Sequence, residues 1–185
     1  MKKSSRILVL AVILILLTGG YYYMSVHPKK DNKTATTVKT AVLKLDASKI
    51  ASASFASKDS KLNIKKSGKN WISPDSPKTK IDQKIVGSMI NSFCYLSAQE
   101  LVDNSLKNIS QYGLDKPGAS ATFTLSDGSS KTVLLGNKSI ASDAYYAMVK
   151  GESKIYTIDS STAKYFEYTL ANIKDTSMYA ISQDT

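Results

Sequence analysis

The hydrophobic pattern begins with Ile7–Val26, a run of twenty residues without a charged side chain. At about 1.5 Å per residue in a helix, such a run covers about 30 Å, the thickness of the hydrocarbon layer of a bilayer. Lys2, Lys3 and Arg6 precede the run, and three tyrosines at 21–23 stand near its far end, where amphipathic rings favour the headgroup level. We predict an uncleaved, single transmembrane anchor (a signal anchor) at residues 7–26, with residues 1–6 as a cytoplasmic tail.

A cleaved signal peptide is the alternative interpretation of this run. Its hydrophobic region would end near Leu17, but bulky tyrosines follow Gly19 and Gly20, and no A-x-A pattern is present. A lipoprotein is excluded because position 20, where a lipidated cysteine would stand, is glycine. The short basic tail favours a cytoplasmic N-terminus, so we expect a cell-membrane protein whose domain is extracytoplasmic.

Residues 27–40 follow the anchor as a polar segment with Pro28 and no apolar period. This composition is typical of a stalk. The alternative is a lipid-binding basic cluster formed by Lys29, Lys30 and Lys33, which are fewer lysines than such clusters usually contain.

Short alternating segments then predict β-strands. Ala41–Leu45 and Ile50–Ala56 are predicted strands, and in the second Ala51, Ala53 and Phe55 alternate with more polar positions. Leu62 and Ile64, the turn at 67–69 and the segment 70–72 predict a hairpin. The Pro-containing segment 73–77 breaks the pattern.

A helix is predicted next, because Ile81, Ile85, Met89 and Phe93 recur every four residues. Asp82 lies in its predicted first turn, where a negative charge suits the helix dipole. Cys94 follows Phe93 on this apolar stripe, so we predict a buried hydrophobic side chain and not a nucleophile.

The second half predicts more hairpins and a second helix. Residues 97–103 are either a strand or a helical tail, and residues 105–112 contain a short helical turn. Two hairpins are predicted, with turns at Gly128 and Gly151, and then a helix from an N-cap at Ser160 to Leu170. We therefore predict an α+β domain at 41–170, with antiparallel hairpins and two main helices packed on one side, and a C-terminal tail at 171–185.

Composition and charge narrow the function classes. The single cysteine and single histidine exclude an internal disulfide and a multi-imidazole metal site. The net charge of +10 divides into +3 for residues 1–26, +9 for 27–80 and −2 for 81–185. Arg6 is the only arginine, which argues against nucleic-acid binding. A polyanion-binding module, in which the Lys-rich first half contacts cell-wall polymer or lipid headgroups, remains an alternative function.

One motif suggests chemistry. Ser161 and Lys164 match the S-x-x-K pattern of serine acyl enzymes, in which a lysine activates a serine one helical turn away. Such sites also need an S-D-N and a K-T-G element, to which residues 126–128 and 131–133 are only partial matches. We therefore interpret the S-x-x-K match as chance. We expect no enzyme activity, no catalytic residue, no cofactor and no metal.

Three segments together resemble a known family. They are Trp71-Ile72-Ser73-Pro74, the run Gln111-Tyr112-Gly113-Leu114-Asp115-Lys116-Pro117, and Leu135-Gly136-Asn137-Lys138 leading to Tyr145-Tyr146-Ala147. They resemble the bacterial domain-of-unknown-function 4340 family (DUF4340) over about residues 48–170. The run from Tyr112 to Pro117 is the most specific mark.

The resemblance implies a membrane-anchored protein of the bacterial cell envelope. It also implies an association with an ABC transporter of the gliding-motility type, whose permease or ATPase would be the partner. It implies no catalytic residue. The expected marks of the family have structural roles: Trp71, Pro74, Tyr112, Gly113, Leu114, Asp115, Pro117, Gly136 and Tyr146.

Overall fold

Alternating apolar residues build most of this domain as one antiparallel sheet. A computed structural model describes residues 40–177. The sheet has eight strands in the order β3-β2-β1-β5-β6-β7-β8-β4, and every pairing is antiparallel. The strands are β1 (Ile50–Ser57), β2 (Lys61–Ser67), β3 (Asn70–Ile72), β4 (Glu100–Asp103), β5 (Ala119–Leu125), β6 (Ser130–Lys138), β7 (Ala144–Val149) and β8 (Ile155–Asp159). The predicted α+β class and its three hairpins are confirmed.

Helix α1 (Gln83–Cys94) covers one face of the sheet. Asp82, which we predicted in the first turn, is its N-cap, and a side-chain oxygen accepts hydrogen bonds from the backbone N–H groups of Lys84 and Ile85. Phe93 packs between Phe55 of β1 and Phe123 of β5, with ring centroids 5.5 and 5.1 Å away. The main core therefore lies between α1 and the centre of the sheet.

The second predicted helix, Ser160–Leu170, is wrong as a continuous element. The chain instead forms α2 (Ser160–Ala163), a 3-10 turn (Lys164–Glu167) and α3 (Leu170–Ile173). Asp159, and not Ser160, is the N-cap of α2. The helix ends because Tyr168 is extended and Thr169 begins a new capping box with Asn172. Phe166 and Ile173 still reach the main core, so the packed domain includes residues beyond Leu170.

Ala41–Leu45 is not a strand, although its composition predicted one. Its contacts are with the end of α1: the N–H groups of Val42 and Leu43 donate to the Leu96 carbonyl, and that of Leu45 donates to the Cys94 carbonyl. Carbonyl groups at a helix C-terminus have no partner within the helix, so Leu45 supplies a donor for the last carbonyl of α1, and Val42 and Leu43 bond to the chain just beyond it. Only one isolated bridge, between Ala41 and Ser97, is strand-like.

A second, smaller core lies on the opposite face of the sheet. Leu114, Met148 and Ile155 form its buried centre. The loop between β4 and β5 supplies Leu114 and covers the outward face of β6, β7 and β8. In the described part of the chain, the outward face of β1, β2 and β5 is not covered in this way and carries polar side chains at alternate positions.

The anchor predicted at residues 7–26 lies outside the described residues, as do the tail before it and residues 27–39 of the stalk. Within 40–177, no helix is long and apolar enough to span a bilayer.

Candidate functional site

The marks taken from the resemblance fall into three groups, of which Asp115 and Pro117, both exposed, form the third. Tyr112, Gly113, Leu114, Gly136 and Tyr146 meet on the outward face of β6 and β7. Trp71 and Pro74 lie elsewhere, at the β3 edge of the sheet. The structure therefore assembles most of the marks into one junction between a loop and the sheet.

Close backbone approach explains the glycines of this junction. Gly113 has a φ of 68°, in the left-handed region, and a Cβ there would lie 2.5 Å from Asn137 Oδ1. A Cβ on Gly136 would lie 2.1 Å from the Tyr112 carbonyl oxygen. The Tyr112 ring stands edge-on to that of Tyr146, with centroids 4.9 Å apart. The first half of the Tyr112–Pro117 run thus fastens the loop to a bulge in β6.

The second half of the same run is exposed. Asp115, Lys116 and Pro117 all face solvent. Lys116 and Pro117 line a groove of about 490 Å³ together with Lys58, from the β1–β2 turn. Sequence reasoning missed Lys58, because nothing in the local pattern links it to a loop almost sixty residues away. Groups open to a ligand therefore lie beside the buried junction.

Trp71 is buried at the β3 edge, and the Gln83 side chain occupies the edge beside it. The backbone N–H of Trp71 donates to Gln83 Oε1 at 2.7 Å, and Gln83 Nε2 donates to the Trp71 carbonyl at 3.0 Å. A carboxamide here makes the two hydrogen bonds that a neighbouring strand would make. Pro74 is exposed in the following turn. The role of Gln83 was not predicted, since a polar residue at the start of a helix is unremarkable in sequence.

Replacing Gln83 should weaken this edge. We expect Gln83→Met to lower the free energy of unfolding by about 1–2 kcal/mol, because the Trp71 backbone groups lose their partners. Urea unfolding followed by Trp71 fluorescence measures the change. Lys84→Met is the matched control, at an exposed position one residue away, and should change stability by less than about 0.5 kcal/mol. Equal losses in the two variants would contradict the assigned role.

The two S-x-x-K residues have different surroundings. The Ser161 hydroxyl donates to Asp159, the N-cap of α2. Lys164 instead lines a cleft of about 200 Å³ with Asp143 and Lys138, whose side chains form an ion pair at 2.8 Å. The hydrogen bond and charge of Lys138 lower the pKa of Asp143. Ser161 thus acts as part of a helix cap.

Two further predictions concern thiol and metal chemistry. Cys94 is buried as predicted, and burial raises the pKa of its thiol. Among residues 40–177, no three His, Cys, Asp or Glu side chains are grouped as metal ligands.

Comparison with known proteins identifies the family. No curated protein and no solved structure matches the chain significantly. The family model described as "Domain of unknown function (DUF4340)" matches residues 71–185. The match starts at Trp71, later than the residue 48 we expected, and leaves out β1 and β2, although β1 is hydrogen-bonded to β5 near the middle of the sheet. Since the match covers well over half of the sequence and includes every expected mark, the chain belongs to the DUF4340 family.

Proposed function

We propose that this protein is a membrane-anchored, extracytoplasmic module of the bacterial envelope that acts by protein contact and not by catalysis. Its partner would be the permease or ATPase assembly of an ABC transporter. The hydrophobic run at residues 7–26 and the polar stalk support the anchoring, and the resemblance to the family supports the class of partner. The permease is the more accessible of the two to an extracytoplasmic domain.

The observation that carries the proposal is a difference between the two edges of the sheet. At the β3 edge, the Gln83 side chain is hydrogen-bonded to the backbone N–H and carbonyl of Trp71, so these groups cannot pair with another strand. At the β4 edge, no further strand follows in the described part of the chain, Leu101 of β4 is 46% exposed, and Leu106 in the turn after β4 is 49% exposed. An open edge with accessible apolar side chains is the surface to which an extended segment of a partner adds as a strand.

The path of the chain supports the β4 edge as the docking surface. Just before β4, the Gln99 N–H donates to the Thr157 carbonyl in β8, whereas the Ala98 N–H donates to the Thr40 carbonyl. Consecutive N–H groups of an extended chain point in opposite directions, so Thr40 lies on the side away from β8. Thr40, the first described residue, therefore lies next to the open edge, and the predicted anchor precedes it in the sequence.

Charge at this edge defines the partner segment. Glu100 and Asp103 flank Leu101 and Val102, and a small groove of about 240 Å³ is lined by residues 101–104. An extended partner segment with an apolar residue beside Leu101 and basic residues beyond it would complement this pattern. We expect such a segment in a periplasm-facing or wall-facing loop of the permease.

Site-specific photo-crosslinking in intact cells tests the proposal. A photoreactive residue at Leu101 or Leu106 should form an adduct with the permease, at a yield about fivefold above the same residue at Lys69, because docked positions exclude water and hold the partner close. Lys69 is the control, since it is exposed in the β2–β3 turn at the other edge. Equal yields at the three positions, or adducts only with a second copy of this chain, would refute the proposal.

A further inference from the structure

The outward face of β1, β2, β5 and the start of β6, which no element among residues 40–177 covers, carries small polar side chains in register. Because successive side chains of a strand point to opposite faces, Leu62, Phe55 and Phe123 point into the main core, and the residues next to them along each strand point outward. We call the outward set the hydroxyl face, whose two rows across β2, β1, β5 and β6 are Lys65-Ser52-Thr124-Ser130 and Asn63-Ser54-Thr122-Thr132.

Hydrogen bonds between neighbouring strands hold part of the hydroxyl face in place. Ser54 Oγ donates to Asn63 Oδ1 at 2.8 Å, and the hydroxyl oxygens of Thr122 and Thr132 are 2.9 Å apart. Asn63 Nδ2 in turn donates to Asp75 Oδ2 at 2.7 Å. Fixed hydroxyl groups lose little conformational entropy when a ligand binds, so such a surface is prepared for hydrogen bonds to another polar chain.

The groove described above lies at one end of this face. Ala56 and Ser120, which pair across β1 and β5, form its floor, and Lys116 and Pro117 line it just before β5 begins. Lys58, directly after β1, also lines the groove. Because Ala56 and Ser120 lie two positions along the strands from Ser54 and Thr122, the groove adjoins the hydroxyl face.

Charge is unequal along this surface. Lys58 and Lys116 are the charged residues that line the groove, and Lys61 is paired with its floor residue Ala56. Within residues 40–177, none of these three lysines forms an ion pair. Asp59 and Glu167 line a second groove that shares Lys58 with the first, and Asp115 precedes Lys116 in the chain. An anion in the main groove would meet two ammonium groups and no lining carboxylate.

Strand alternation separates the other lysines of residues 44–80. Lys65 pairs with Ser52 on the hydroxyl face, whereas the Lys66 ammonium lies on the core side, 5.6 Å from the centre of the Trp71 ring. These lysines therefore do not form one continuous basic face. Lys116, which lies outside that segment and within the family motif, completes the cationic groove instead.

We propose that the groove and the hydroxyl face bind a linear polyol-phosphate polymer, with a phosphate between Lys58 and Lys116 and polyol hydroxyls along the two rows. The hydroxyl face has no aromatic side chain for base stacking, which disfavours a single-stranded nucleic acid. It also has no large apolar side chain to insert among lipid tails, which disfavours a bilayer surface. This surface is separate from the β4 edge, so the two proposals stand independently.

Binding of short poly(glycerol phosphate) to the full chain in non-ionic detergent tests the proposal. We expect Lys58→Gln/Lys116→Gln to weaken binding about tenfold and to reduce its dependence on salt, since two exposed charge contacts are lost. Ser54→Ala/Thr122→Val should weaken binding about threefold without changing the salt dependence, because only hydrogen bonds are lost.

Lys69→Gln/Lys154→Gln is the matched control, with the same change of charge. Both lysines are exposed in turns at the end of the sheet opposite to the groove, and binding should change less than twofold. Equal weakening by both lysine pairs would show a general effect of net charge and overturn the proposal. An unaltered affinity in the hydroxyl variant would overturn the role of the hydroxyl face. Equal or tighter binding to phosphatidylglycerol vesicles or to inorganic phosphate would overturn the assignment of a polymer.

Discussion

Gly136→Ala is expected to lower the free energy of unfolding by about 3–5 kcal/mol, a large part of the stability of an ordinary domain. The new Cβ would lie 2.1 Å from the Tyr112 carbonyl oxygen and 3.0 Å from Leu114 Cγ. The nearer atom belongs to the backbone, so a change of rotamer cannot remove the clash. The loop must lift, and Leu114, only 2% exposed, would leave the smaller core with it.

Urea unfolding of the full chain in non-ionic detergent measures this loss, with far-UV circular dichroism as the signal. Gly87→Ala is the matched control, because Gly87 lies within α1 and a Cβ there would meet nothing within 4 Å. The control should be neutral or more stable by up to about 1 kcal/mol, since alanine favours the helix. A loss below 1 kcal/mol in Gly136→Ala would contradict the close packing of the loop on β6.

The hairpins could be predicted from sequence because their evidence is local. Each hairpin pairs residues that lie within about twenty positions of each other. Its signals therefore lie close together in the sequence, as with the alternation at Leu62 and Ile64 and the positive-φ glycines at the turns. The same reasoning failed at Ala41–Leu45, since a short apolar segment looks alike whether its N–H groups bond to a strand or to the end of a helix. It failed again after Ser160, because the apolar period predicted one continuous helix, whereas the capping box of Thr169 and Asn172 begins a new one.

The site could be predicted only in part for the same physical reason. The resemblance to the family pointed to Tyr112, Gly113, Leu114 and Gly136. It did not predict that these residues bring the loop between β4 and β5 against strand β6. Asn137, against which Gly113 packs, was only a neighbour of a marked residue. The pairing of β1 with β5 places Lys58 near Lys116, and long-range pairings of this kind leave no periodic signal in sequence.

Phe93→Ala is expected to destabilise the domain by about 3–5 kcal/mol, because the substitution leaves a cavity between helix α1 and the sheet. Phe93 is fully buried, and its ring centroid lies within 6.4 Å of those of Phe55, Phe123, Tyr165 and Phe166. The aromatic ring therefore joins α1, two central strands and the turn after α2. Removing it should also reduce cooperativity, so that Trp71 fluorescence and far-UV circular dichroism give different midpoints in urea.

Two further variants separate the contributions of volume and of position. Phe93→Leu keeps most of the buried apolar volume but loses the ring contacts, and should cost about 1–2 kcal/mol. Tyr95→Ala, two residues away and 68% exposed, should cost less than about 0.5 kcal/mol. Comparable losses for Phe93→Ala and Tyr95→Ala would show that the helix does not rest on the sheet through Phe93. Losses in the expected order would show that Phe93 stabilises the sheet from its core side.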